Sequence, residues 1–142
     1  VANKSFDITR DSLVRYAGAS GDFNPIHYRD DVALSVGLPG VLAHGMLTMG
    51  LAVQPVSNWV GDPARIVDYQ VRFTRPVVVD PQLGAVVTVA ATVAAVDDTG
   101  ARIDLTATYQ GFAIQLFWAV ALLGLNTVLW RRGLRRHTAV GG

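Results

Sequence analysis

Residues 20–50 read SGDFNPIHYRDDVALSVGLPGVLAHGMLTMG and set two polar groups into a chain otherwise rich in alanine and valine. The first is Gly21-Asp22-Phe23-Asn24-Pro25-Ile26-His27, a short loop that carries a carboxylate and an imidazole and is stiffened by Pro25. The second is Ala43-His44-Gly45-Met46-Leu47, where a loop turns into a helix. From 45 to about 54 nearly every residue is apolar, and a helix apolar all round is a buried one. The pattern therefore predicts a buried helix opening at Gly45, with the rest of the chain arranged about it. A carboxylate, a histidine and a glycine at a helix N-terminus are the groups needed to move a proton beside a carbonyl. The free N–H donors and the dipole at that end favour developing negative charge.

Upstream, Ser5-Phe6-Asp7-Ile8-Thr9 alternates polar and apolar as a short strand does. Thr9 then suits an N-cap, with Asp11 in the first turn and Leu13, Tyr16 and Ala17 following at helical spacing. Gly18 to Gly21 end that helix. Asp30 and Asp31 begin a second short helix with an apolar face of Val32, Ala33 and Val36, which Gly37 stops before the turn Leu38-Pro39-Gly40. Downstream, Pro55 predicts a kink or tightening, and Gly61-Asp62-Pro63 a break after Trp59. Residues 65–109 read as antiparallel sheet. Tyr69, Val71 and Phe73 share one face, opposite Asp68, Gln70 and Arg72. Val77 to Val79 leads into an Asp80-Pro81 turn, and 83–96 forms a long strand, bent or bulged given its length. Asp97-Asp98-Thr99-Gly100 is a hairpin turn, followed by alternating Ile103, Leu105, Ala107 and Tyr109. One buried helix embraced by a long antiparallel sheet is an α+β fold.

A chain of 142 residues, 51% of them hydrophobic, is long enough for one domain with a real core. The absence of cysteine excludes disulfides, thiolate metal sites and cysteine nucleophiles. The net charge of +1 hides an asymmetry. Residues 1–111 hold all 11 acidic residues, every one an aspartate, and 8 of the 12 basic ones, a net of −3. That balance does not suggest a nucleic-acid surface on the main body. With no apolar N-terminal run, secretion is not expected and a cytoplasmic protein is.

Ser20-Gly21-Asp22-Phe23-Asn24-Pro25-Ile26-His27 resembles the signature of the MaoC-like, (R)-specific hydratase/dehydratase family, and His44-Gly45-Met46 matches its second motif. The resemblance extends through Trp59-Val60-Gly61-Asp62-Pro63 and Val71-Arg72-Phe73 and covers roughly residues 5–110. It is most similar to the dehydratase subunits of type-II fatty-acid synthesis, which act on (3R)-hydroxyacyl carrier-protein thioesters. The resemblance implies a hot-dog fold, with the sheet wrapped around the helix that opens at Gly45, as domain 1–111. It also implies a dimer, homodimer or heterodimer with a related hot-dog subunit, and a tunnel for the phosphopantetheine arm. The acyl thioester substrate would be carried on coenzyme A or on an acyl carrier protein, without metal or other cofactor. Carried over by position, Asp22 and His27 are the catalytic pair, and Asn24 supports the loop. The Gly45 N–H polarises the thioester carbonyl, and His44 belongs to the substrate-binding set. Some members use a serine further along the central helix; Val53 stands in that region here, and no such role is assigned.

Dehydration of a 3-hydroxyacyl thioester takes a proton from C2 and gives one to the leaving hydroxyl. His27 suits the first task near neutral pH, and Asp22 the second, or its reverse. An Asp after Gly is by itself an ordinary turn former, and it is the company of Asn24, Pro25 and His27 that makes it catalytic. His44 precedes the helix as a capping or packing histidine would. Met46 and Met49 read as core, and Arg72 and Arg75 as solvated strand arginines with a minority role on the phosphates of coenzyme A or on an acidic carrier. Asp80, Asp97 and Asp98 are turn residues, with no histidine grouped beside them to suggest a metal. Two other functions compete: a hot-dog acyl-thioesterase, against which the Asn-Pro-x-His loop argues, and a non-catalytic acyl-binding partner subunit, which has no need of both Asp22 and His27.

After Tyr109-Gln110-Gly111 the resemblance calls for one last strand. Instead, 112–130 is an apolar run in which only Gln115, Asn126 and Thr127 are clearly polar, and 131–142 opens with Arg131-Arg132-Gly133-Leu134-Arg135-Arg136. The run roughly spans the ~30 Å hydrocarbon core of a bilayer, and Trp118, Trp130 and the arginines suit an interface. It is weakly similar to the terminus of ABC-2-type permeases. Membrane contact through 112–130, a replacement strand over 115–122 followed by a helix, and a hybrid reading frame are the three alternatives.

Overall fold

Three strands, β1 (Ala2–Ile8), β2 (Ala85–Asp97) and β3 (Gly100–Gln110), pair antiparallel in the order β1-β2-β3. The computed structural model describes residues 2–110, which lie in one compact unit. Register is set by side-chain alternation. Ile8 pairs with Ala85 and Phe6 with Val87, so Ala85, Val87, Val89 and Ala91 all point to the core side. A slip of one residue would turn that whole set to the other face. The register shift between Val93 and Ala95 is the bulge expected in so long a strand, and Asp97 closes the hairpin by accepting from Thr99 N (2.7 Å) and Gly100 N (3.0 Å). Gly84 directly precedes β2 at φ 70°, where an added Cβ would lie 2.6 Å from the Ile8 carbonyl oxygen. Only glycine lets β1 and β2 meet there.

Three helices complete the frame: α1 (Arg10–Ser20), α2 (Asp30–Ser35) and α3 (Gly45–Val60). The sequence explains their ends. Thr9 caps α1 in a reciprocal capping box with Ser12, and Gly21 ends it in the left-handed region at φ 75°. Gly61 ends α3 in the same way at φ 72°, and α3 continues through Pro55 to Val60. The core joins Ile8 and Leu13 to Ala52 of α3, to Val41, Ala43 and Val79, and to Ala85, Val87 and Val89 of β2. Each large aliphatic side chain fully buried there contributes about 1.5–3 kcal/mol. Residues 41–43 run between two neighbours: Ala43 N donates to Val77 O (2.8 Å) and Val79 N to Val41 O (2.9 Å), while Leu42 N reaches Ile26 O (3.1 Å). Arg10 reinforces this with a two-pronged pair to Asp30 (2.7 and 3.0 Å) and an Nε–H bond to Val79 O (2.7 Å).

Several expectations are corrected. The segment from 65 to 79 is not a strand. Pro63–Arg65 is a single 3-10 turn, and beyond it only Val78 makes a bridge, to Leu42, before the Asp80–Gly84 turn. Alternating residues mark two faces, but a strand also needs a neighbour's N–H and C=O, and the described strands extend no ladder to these residues. Val67, Val71 and Phe73 stay exposed. Helix α3 is not buried all round either: Ala52, Pro55 and Val56 are covered, while Met46 and Trp59 are exposed, because the described strands cover one side of it. Met46 is therefore not core. On α2 only Ala33 is buried, and Val36 is exposed. Among the described residues no helix is long and apolar enough to cross a membrane. The readings of 112–130 and 131–142 fall outside the described residues.

Candidate active site

The loop between α1 and α2 is built by its own polar side chains. Asp22 accepts from Asn24 N (3.2 Å), and Asn24 in turn accepts from Ile26 N (3.3 Å), capping the 3-10 turn Pro25–His27. Each is an Asx-type bond that holds a tight loop without a neighbouring strand. Pro25 fits the first position of the turn, where no N–H is needed. The outcome is that His27 is buried to 9% exposure while Asp22 and Asn24 remain at the surface.

Two main-chain contacts then aim the imidazole. Leu42 N donates to Ile26 O, and His27 Nδ1 lies 2.8 Å from Leu42 O. A carbonyl only accepts, so Nδ1 carries the proton and Nε2 presents a bare lone pair. That lone pair faces Asp22, whose Oδ2 is 3.9 Å away. The structure thus brings together the two residues singled out for acid–base chemistry, with the basic nitrogen of one turned toward the carboxylate of the other. Asn24 lies within the same loop, its Oδ1 turned to Ile26 N.

His44 stacks on His27, with ring centroids 3.8 Å apart and planes inclined by 22°. It is 1% exposed and so has no open face for a substrate. Its pKa is lowered, first by burial and further by the nearby His27, against a partly compensating bond to the Asp22 carbonyl. Gly45 follows directly as the first residue of α3, exposed, with its N–H unclaimed by any acceptor among the described residues. A Cβ there would come within 3.3 Å of the Phe73 ring, so the position is narrow as well as donor-bearing.

Ligand atoms of Asp22, His27 and His44 lie within 4.8 Å of one another, which raises a metal site. The stacking argues against it. Imidazole lone pairs lie in the ring plane, and two nearly parallel planes do not meet at a single ion within bonding distance. Arg72 and Arg75 are exposed and in no ion pair among the described residues. Asp80 and Asp97 are turn residues as expected: bonds from Leu83 and Gln82 N–H groups hold the Asp80 carboxyl below the usual carboxylate range, and the Thr99 hydroxyl and N–H do the same for Asp97. Met49 is half-buried, and its carbonyl accepts from the Tyr69 hydroxyl (2.8 Å). A cavity of about 340 Å³ beside the loop is lined by Val14, Ala17, Phe23 and Tyr28, none of them a proton-transfer group at the site. Neither the Leu42 carbonyl nor Phe73 over Gly45 is legible in the residues alone. A main-chain oxygen has no residue type to announce it, and Phe73 is far from Gly45 along the chain.

Residues 1–110 match the family model described as "MaoC like domain". Over 77 residues the chain is 38% identical to 3-hydroxyacyl-thioester dehydratase X of Mycobacterium tuberculosis, covering 54% of this chain and 26% of that protein. Among solved structures, a MaoC-like dehydratase superposes with a TM-score of 0.74 at 38% identity, over 78% of this chain and 35% of the other. The unliganded (R)-hydratase of Pseudomonas aeruginosa superposes with a TM-score of 0.62 at 27% identity, over 77% of this chain and 69% of that one. The chain thus spans about a quarter of the length of the mycobacterial relative it matches.

Proposed function

The chain belongs to the MaoC-like domain family, and from that premise we propose that it is an (R)-specific hydro-lyase acting on acyl thioesters. Its mixed helix and antiparallel sheet is the hot-dog arrangement of its structural neighbours. The reaction joins water to a 2-enoyl thioester to give the (3R)-hydroxyacyl thioester, or removes it in reverse.

In the dehydration direction, His27 Nε2 takes the proton from C2 with its lone pair. The electrons of the broken C2–H bond move into the C1–C2 region and load negative charge onto the thioester oxygen. The Gly45 N–H, at the positive end of α3, donates to that oxygen as its charge grows. The C3–O bond then breaks, and the hydroxyl leaves as water with a proton from the Asp22 carboxyl. The enzyme is left with a protonated His27 and an ionised Asp22, an attractive pair. The 3.9 Å between Nε2 and Oδ2 must close by about 1 Å, to hydrogen-bond reach, for the proton to return once the product has left. Proton transfer accounts for the whole change, so the reading requires no metal or redox cofactor.

The observation that carries this reading is the His27 Nδ1–H bond to Leu42 O, which commits Nε2 to the role of base beside Asp22. The carrier is coenzyme A or an acyl carrier protein, and the assembly a dimer with itself or with a related subunit. In support of a second subunit, Met46, Trp59 and Phe73 are large apolar side chains left exposed near α3 among the described residues. The test is hydration of crotonyl and long-chain enoyl thioesters on both carriers by wild type, Asp22→Asn and His27→Ala. Each substitution should lower turnover by about 10²–10⁴-fold with the circular dichroism spectrum unchanged. Near-normal turnover in either variant would refute the assignment.

A further inference from the structure

Directly behind the reacting pair, His44 is held on more sides than packing requires. It is 1% exposed, and its Nε2 lies 3.2 Å from the main-chain oxygen of Asp22. That oxygen only accepts, so the His44 proton is on Nε2. Nδ1 is then a buried lone pair, and it has no hydrogen-bond partner among the described residues. One face of the ring lies on His27 at 3.8 Å, and the Tyr16 ring meets it 4.9 Å away at 59°. An apolar ring of similar size would fill the same space without burying a polar nitrogen, which costs free energy unless it is hydrogen-bonded. The bond through Nε2 is what a histidine adds there.

We propose that His44 is a positioning residue for the proton transfer, which holds the Asp22 main chain with its Nε2–H and the His27 ring with its face. It thereby sets the carboxylate of Asp22 and the bare nitrogen of His27 relative to each other. The inference rests on the hydratase reading above and deepens it. Among the described residues, His27, the Asp22 loop and Tyr16 face His44. Burial and the neighbouring His27 both disfavour a charge on it. His44 thus stays neutral while His27 takes up its proton, and no like charge opposes that step. Its part is geometric, and it touches no reacting atom.

The experiment compares the wild-type chain, His44→Phe and His44→Gln in enoyl-thioester hydration, with melting curves for each. ¹⁵N-histidine NMR of the wild type is recorded alongside. His44→Phe keeps a stacking ring and loses the N–H. Its kcat should fall by about 10–100-fold while KM stays within about twofold, the pattern of misplaced reacting groups. His44→Gln offers an amide N–H at a reach close to that of Nε2 and should recover kcat severalfold above the Phe variant. A Phe variant with wild-type kcat overturns the proposal, as does an equal kcat loss in folded Phe and Gln variants. NMR does not depend on the variants folding: it should show the proton on Nε2 in His44 and on Nδ1 in His27. A proton on Nδ1 of His44 also overturns the proposal. A wild-type chain with these tautomers but no hydration of any enoyl thioester would refute the hydratase reading instead, which is a separate outcome.

Discussion

Replacing Gly45 separates two explanations for a glycine at the start of α3: helix-end chemistry and room for a substrate. Alanine keeps the N–H and adds one methyl, 3.3 Å from Phe73 Cζ and 3.4 Å from Cε2. That is close contact, but the neighbour is the edge of an exposed ring on a segment without a ladder, so it has freedom to yield by a few tenths of an ångström. Alanine also favours helix over glycine by up to about 1 kcal/mol in a helix interior, less in the first turn. The two effects oppose each other, and the stability of Gly45→Ala should stay within about 1 kcal/mol of wild type. Valine adds two further methyls toward the ring, and overpacking of that kind costs about 1–3 kcal/mol. Neither variant removes the donor. A loss of activity in a folded Gly45→Ala therefore reports lost space beside the carbonyl. A displacement of the thioester by about 1 Å is enough for a loss of about 10²-fold in kcat/KM, and valine should exceed alanine. The assay is enoyl-thioester hydration followed spectrophotometrically, with urea unfolding in parallel. Unchanged kcat/KM in a stably folded Gly45→Val would refute the close approach of substrate to this residue.

Two further outcomes follow from the frame around the site. Gly84→Ala should destabilise the domain by about 1–3 kcal/mol, because its φ of 70° disfavours a side chain and the new Cβ would meet the Ile8 carbonyl at 2.6 Å; chemical denaturation measures this, and a stability equal to wild type would contradict the tight β1–β2 junction. The lowered pKa of His44 gives stability a pH dependence of definite sign: relative to an unfolded value of 6.5, the folded chain binds fewer protons. The stability tied to His44 is therefore full above that pH and lost as pH falls through it toward the depressed folded value. Comparing urea unfolding at about pH 7.5 and about pH 5 should show a smaller drop for His44→Phe than for wild type, and an equal drop would contradict the neutral, buried state of the residue.

Much of this protein is legible in its residues, because the signals involved are local. Thr9 and Ser12 form their capping box within one turn, Gly21 and Gly61 end helices at positive φ, and Asp97 closes its own hairpin through N–H groups two and three residues on. The Asp22–Asn24–Ile26 relay is likewise built within the loop, and the pairing of Asp22 and His27 is legible through the resemblance of that loop to the family signature. What depends on a distant neighbour was not. Tyr69, Val71 and Phe73 alternate as a strand does, yet strand formation needs a partner's hydrogen-bonding groups, and among the described residues that segment has no ladder. Met46 has the composition of a core residue, but burial is set by what packs over a position, and the described strands cover one side of α3. The tautomer of His27 is fixed by a carbonyl on Leu42, and the place of His44 by a ring and a carbonyl that come from different stretches of chain. The order of residues alone supplies the groups available for proton transfer and the bonds that build their loop. Tertiary structure alone decided which nitrogen of each imidazole is bare, since that follows from which carbonyl oxygen the fold sets beside each ring.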